Sequence, residues 1–276
     1  MSGRTLRYVA LGDSFTEGVG DPNKHLPNGV RGWADRVAEK LAKDQPGWEY
    51  ANLAVRSKRL RHIAAEQLER AVDLHPTLIT LYAGGNDILD AGTSVPQLLA
   101  DYEELVAPLA ATGARLLLFT GYDVEVTPAL RLLRKRHQLY NDGVRRIADA
   151  YGADLVDYWT FSAYQDRRMW GPDRLHMSKA GHRYMASQVL DLLAVPHSVK
   201  LADWDPPVPK TFREWEREQR RWIHDWVLPL AGRKIRRVTL GDNLPSRWPN
   251  PVVVPPKGGL RRLVRDEGLP TTAPVR

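Results

Sequence analysis

Short apolar runs alternate with amphipathic stretches along residues 1–199. The run Leu6-Arg7-Tyr8-Val9-Ala10-Leu11 stops at Gly12-Asp13-Ser14, and comparable runs recur at Glu49–Leu53, Thr77–Ala83, Ala114–Thr120 and Ala153–Tyr158. Short apolar runs bounded by turn-forming residues read as buried strands, so five strands are expected. Between them the period lengthens. Trp33, Val37 and Leu41 fall at i, i+4 and i+8; Leu60, Ile63, Ala64, Gln67, Leu68 and Ala71 share a stripe; Val95–Leu109 and Leu130–Tyr151 repeat the pattern. Such spacings put the apolar side chains on one helix face. A last helix is expected over Ser178–Leu193 with Ser178 as its N-cap.

Strand–helix alternation implies an α/β fold, because parallel strands need crossovers and helices supply them on both faces of the sheet. In such sheets reactive groups collect at the carboxyl ends of the strands. The polar clusters fall there: Gly12-Asp13-Ser14 after the first strand, Ala54 to Ser57 after the second and Gly84-Gly85-Asn86-Asp87 after the third.

Beyond Pro196 the pattern changes, which divides the chain into residues 1–199 and a C-terminal extension, 200–276. Asp205-Pro206-Pro207-Val208-Pro209 reads as a stiff connection. Trp215, Trp222, Ile223, Trp226 and Leu230 lie near one helical stripe, and from Pro245 the chain is expected to be extended. Charge sharpens the division. Residues 1–199 hold 24 basic and 24 acidic side chains, so the whole excess of +7 sits in the extension, with five of the nine tryptophans. Three readings of the extension compete. It packs its Trp face on residues 1–199, which weighs most, or it meets an anionic membrane surface. Nucleic-acid binding weighs least, since no recognised motif accompanies the charge.

Composition narrows the chemistry. With 43% hydrophobic and 26% charged residues the chain reads as globular, and no window suits a membrane-spanning helix. Met1-Ser2-Gly3-Arg4 leads into the first strand without an apolar leader, which suggests a cytoplasmic protein. There is no cysteine. A nucleophile must therefore use oxygen or nitrogen. No metal-ligand pattern, phosphate-gripping loop or Gly-x-Ser-x-Gly elbow occurs, so no metal or cofactor is expected.

A serine hydroxyl needs a base to take its proton and a third group to orient that base. Asp173-Arg174-Leu175-His176 offers both partners in one loop, for Ser14. Donors for an oxyanion are available at three strand ends: the N–H of Ser14, the N–H of Ser57 and the Asn86 amide. Each cluster alone reads more simply as a turn or a cap; together, in order, on strand ends, they point to catalysis. His182 reads as a packing histidine inside the last helix, and Asp13 and Asp87 as loop hydrogen-bonders.

Gly12-Asp13-Ser14-Phe15-Thr16-Glu17-Gly18, Gly84-Gly85-Asn86-Asp87 and Asp173-Arg174-Leu175-His176 resemble three signature blocks of the SGNH (GDSL) hydrolase family. The second block resembles Asn52-Leu53-Ala54-Val55-Arg56-Ser57, with Ser57 where the family has glycine. Over residues 5–195 the resemblance implies a flavodoxin-like three-layer sandwich on a five-stranded parallel sheet. It implies Ser14 as nucleophile, Asp173 and His176 as its partners, and Ser14, Ser57 and Asn86 as oxyanion donors. The activity implied is hydrolysis of small carboxylic esters through an acyl-Ser14 intermediate. A weakly catalytic ligand- or membrane-binding module and an acyltransferase using the same residues stay open. Residues 21–32, and Trp159, Phe161, Tyr164 and Trp170 in 159–172, are expected to line the substrate pocket.

Overall fold

A computed structural model describes residues 5–90, 92–123, 132–199, 204, 211–229 and 240–268. The five expected strands form, as β1 (Arg7–Gly12), β2 (Glu49–Asn52), β3 (Leu78–Tyr82), β4 (Arg115–Phe119) and β5 (Asp154–Val156). A sixth joins them, so the expected count of five is corrected. β6 (Trp248–Val253) runs antiparallel along β2, giving the order β5-β4-β3-β1-β2-β6 with every other pair parallel. Its Pro249 and Pro251 hid the strand from sequence reading; prolines are tolerated there because an edge strand needs donors on one side only.

Alternation along each strand splits the core in two. Tyr8 and Ala10 of β1 face α2 (Trp33–Asp44) and α7 (Lys179–Leu192), where Val37, Leu41, Met185 and Val189 are buried. Val9 and Leu11 face the opposite way, toward α3 (Leu60–Asp73), α5 (Val95–Ala111) and α6 (Arg134–Ala150). The sandwich therefore has three layers, as expected. Ser178 caps α7 through its hydroxyl. The expected helix start at Leu130 and the Asp205–Pro209 connection lie outside the described residues.

Two short helices and two longer ones complete the elements the site needs. α1 (Ser14–Glu17) and α4 (Gly85–Ile88) sit at the carboxyl ends of β1 and β3. α8 (Phe212–Trp222) continues as a π-turn through Ile223–Val227, and α9 (Gly259–Glu267) buries Leu260, Leu263 and Val264 in the same core as α2. Among the described residues no helix is long and apolar enough to cross a membrane.

Candidate active site

β1 delivers Ser14 through a constrained turn. Gly12 has φ +145°, and a Cβ there would lie 2.5 Å from the Tyr82 carbonyl oxygen. The buried Gln67 amide pairs both backbone groups of Gly12, accepting from its N–H and donating to its carbonyl at 2.9 Å each, as a neighbouring strand would. Asp13 then caps α1 by accepting from the Phe15 N–H. Ser14 is the first residue of that helix, a position whose N–H has no acceptor within the helix.

The other end of the chain brings the base. His176 Nε2 lies 3.0 Å from Ser14 Oγ, and its Nδ1 lies 2.5 Å from Asp173 Oδ2. Asp173 Oδ1 accepts the N–H groups of Leu175 and His176, so the carboxylate organises the loop that carries its partner. Burial opposes charge on Asp173, yet His176 and these N–H groups hold its carboxyl down at about 2. Burial also pulls His176 down, but Asp173 beside it outweighs this, and the imidazole ends above its usual value. A hydroxyl, imidazole and carboxylate in such a chain let the imidazole accept the hydroxyl proton.

Ser57 is in the left-handed region at φ +67°, the conformation that favours glycine. Its N–H has no acceptor among the described residues. The loop is set by a buried ion pair next to it: Arg56 donates its guanidinium and its backbone N–H to the fully buried Glu17 of α1. Asn86 comes to the same place, but both of its amide hydrogens are engaged, with Asp13 Oδ2 at 3.0 Å and the Lys58 carbonyl at 2.9 Å. Burial, above all, pushes the Asp13 carboxyl up to about 7. Asp87 accepts from the Leu60 N–H at the start of α3. His182 is fully buried and donates to the Val19 carbonyl; burial drives its pKa down to about 3.

A cavity of about 60 Å³ opens beside Ser14 and His176. Of the aromatic residues expected to line it, Trp170 does; Trp159, Phe161 and Tyr164 are not among its walls, and Tyr164 is buried under α7, donating to the Gly181 carbonyl. Tyr82, Tyr122 and Tyr158 take their place. Residues 21–32 do not line this cavity; Asp21, Pro22, Asn23 and Arg31 border a separate groove with Lys179 and Arg261. Among the described residues no group of three or more His, Asp or Glu side chains is placed to hold a metal ion.

Sequence reasoning missed three supports of the site. Gln67 was one letter of a helical stripe, and Glu17 and Arg56 lie 39 residues apart, so nothing local links them. The third comes from the extension: Trp222 Nε1 donates to the Asp173 carbonyl at 3.0 Å, while Arg174 stacks on the Trp222 ring and donates to Gln219.

A model of the GDSL-like Lipase/Acylhydrolase family matches residues 10–184. Fold and match together place the protein among the ester hydrolases of α/β architecture. The chain belongs to the GDSL-like lipase/acylhydrolase family. Similar solved structures include LAE5, an alpha/beta hydrolase enzyme from the metagenome of Lake Arreo, Spain, at 25% identity over 70% of this chain and 97% of that one, TM-score 0.58. The acetylxylan esterase Axe2 of Geobacillus stearothermophilus aligns at 19% identity over 70% and 96%, TM-score 0.59. The psychrotrophic esterase EstA of Pseudoalteromonas sp. aligns at 17% over 68% and 96%, TM-score 0.55. No curated protein matches the sequence.

Proposed function

We propose that the protein is a serine esterase that cleaves carboxylic esters through an acyl-Ser14 intermediate. The observation that carries this reading is the unbroken chain from Ser14 Oγ through His176 to Asp173. In the first half-reaction Ser14 Oγ attacks the ester carbonyl carbon and its proton passes to His176 Nε2. Collapse of the tetrahedral intermediate breaks the bond to the alcohol oxygen, which leaves with that proton. Water then attacks the acyl-enzyme, His176 takes the water proton, and Ser14 recovers it as the carboxylic acid departs.

Asp173 remains ionised throughout. It holds the His176 tautomer that presents a lone pair to Ser14 and it stabilises the imidazolium once formed. The oxyanion is received by the N–H groups of Ser14 and Ser57, both clear of other acceptors among the described residues. Asn86 joins them by exchanging its hydrogen bond to the Lys58 carbonyl for one to the oxyanion. Each such donor contributes about 3–4 kcal/mol to lowering the barrier.

Replacing Ser14 by Ala tests the reading. Hydrolysis of p-nitrophenyl acetate should fall about a thousandfold or more, with an unchanged circular dichroism spectrum, and the variant should no longer be labelled by a fluorophosphonate. Undiminished turnover in Ser14→Ala would defeat the assignment.

A further inference from the structure

α8 rests on the loop of Asp173 and His176 through Trp222, Gln219 and Glu218, and no residue of Phe212–Trp222 is buried. The apolar side chains on either side of this contact are open. Phe212 is 74% exposed, Trp215 50%, Ile223 44% and Trp226 40%. Phe212 and Trp215 stack on each other with ring centroids 5.8 Å apart. At helical spacing these four residues and Trp222 fall within about a third of the circumference, so they form one apolar strip along the helix. Contiguous apolar surface left in water marks a contact with something else.

Composition and charge select the occupant. Tryptophan is favoured where an apolar body meets a wet edge, as at the headgroup level of a bilayer. Residues 211–229 are electrically balanced, but the sequence that follows is not. Between Asp225 and Asp242 it holds Arg233, Lys234, Arg236 and Arg237 and no acidic residue. A second copy of the chain would bring the same positive charge against this one, whereas an anionic lipid surface neutralises it. Adsorption of an amphipathic helix strengthens with the apolar area it buries and with attraction to anionic lipid, and this stretch supplies both.

We propose that the exposed apolar strip of α8 is a membrane-docking surface that prefers bilayers carrying anionic lipid. Trp222 lies in the same strip and donates to the Asp173 carbonyl, so the docked helix is the one that braces the loop carrying Asp173 and His176. Neither the strip nor its occupant depends on the acyl-Ser14 reading.

Co-sedimentation of the full chain with vesicles tests it, using phosphatidylcholine alone and phosphatidylcholine mixed with phosphatidylglycerol. The mixed vesicles should bind at least about tenfold more tightly, and the difference should shrink in high salt. Trp215→Ser combined with Trp226→Ser removes two indoles from the strip and leaves Trp222 in place. This variant should lose about tenfold or more in affinity for the mixed vesicles, with an unchanged circular dichroism spectrum. Phe212→Ser, at the most exposed side chain of the strip, gives a second reading if the double variant fails to fold, and should weaken binding about threefold or more. Binding to neither vesicle overturns the proposal, as does equal binding to both or undiminished binding in the folded variants. A chain that self-associates through Trp215 and Trp226 and leaves both vesicles unbound assigns the strip to a second copy and overturns it too.

Discussion

Ser57 carries a side chain at φ +67°, where a non-glycine residue costs roughly 1–2 kcal/mol. The neighbouring Arg56–Glu17 pair over-determines the loop and holds that conformation. Sequence could name the odd residue but not its backbone angle. The same limit applies to His176, whose partner was legible while its electrostatics were not. Its pKa is raised, chiefly by Asp173 acting against burial, and only the neutral imidazole can take the Ser14 proton. Activity should therefore be lost as pH falls through that raised pKa, with half-activity above the roughly 6.5 of a free imidazole. Asp173→Asn removes the raising charge and should shift this acid limb to lower pH while lowering the plateau by about 10⁴-fold. A pH–rate profile of both proteins checks it. Asp13, whose carboxyl sits at about 7, titrates in the same region. A limb that stays in place in Asp173→Asn would assign the titration to Asp13 instead of His176.

Strands and long helices were legible because they bury whole faces, and burial writes a period into the sequence. α8 was legible only as a helix. Its Trp stripe suggested a buried face, yet Trp215 and Trp226 are 50% and 40% exposed, and the stripe's distinctive contact is the single indole N–H that Trp222 gives to Asp173. The four arginines of residues 211–229 are balanced by four carboxylates. Several of these are engaged, Glu218 with Arg174, Glu216 with Arg220 and Glu214 with the Thr211 cap, so the described helix carries no net basic face of its own. What α8 does hold is the loop that carries Asp173 and His176. Arg174 is itself left-handed at φ +59°, a conformation sustained by its stacking on Trp222 and its bond to Gln219. Trp222→Phe keeps a ring for Arg174 and deletes only the donor. It should lower kcat by about two- to tenfold, one neutral hydrogen bond's worth, with KM within about twofold, since Trp222 does not line the cavity. Steady-state kinetics on one ester separate the two constants. A change confined to KM would mean that α8 acts on substrate entry and not on the loop.

At the scale of the whole molecule, the extension contributes Arg247, a fully buried cation whose partners all belong to the N-terminal part of the chain. Its guanidinium donates to Asp35 at 2.7 Å and to the carbonyls of Glu17, Val30 and Pro27, and the Arg247 and Asp35 side chains are both 0% exposed. The Glu17 carbonyl it holds belongs to the residue whose carboxylate clamps the Ser57 loop, so the anchor of β6 and the frame of the site share one residue. Composition marked a boundary near residue 199 and an extension packed on the residues before it, but not this anchor, because excess charge and proline mark linkers more often than they mark edge strands. Removing one partner of a buried pair strands the other charge in an apolar surround, at a cost of about 3–5 kcal/mol. Arg247→Ala should accordingly lower Tm by about 10 °C, whereas Lys257→Ala, on an exposed turn, should stay within about 0.5 kcal/mol of the unaltered protein. Thermal unfolding followed by circular dichroism distinguishes them. Equal Tm values would mean that residues 247–264 rest on a fold complete without them. A large loss for Arg247→Ala alone would mean that the ester-hydrolase core closes only when its distant last strand is in place.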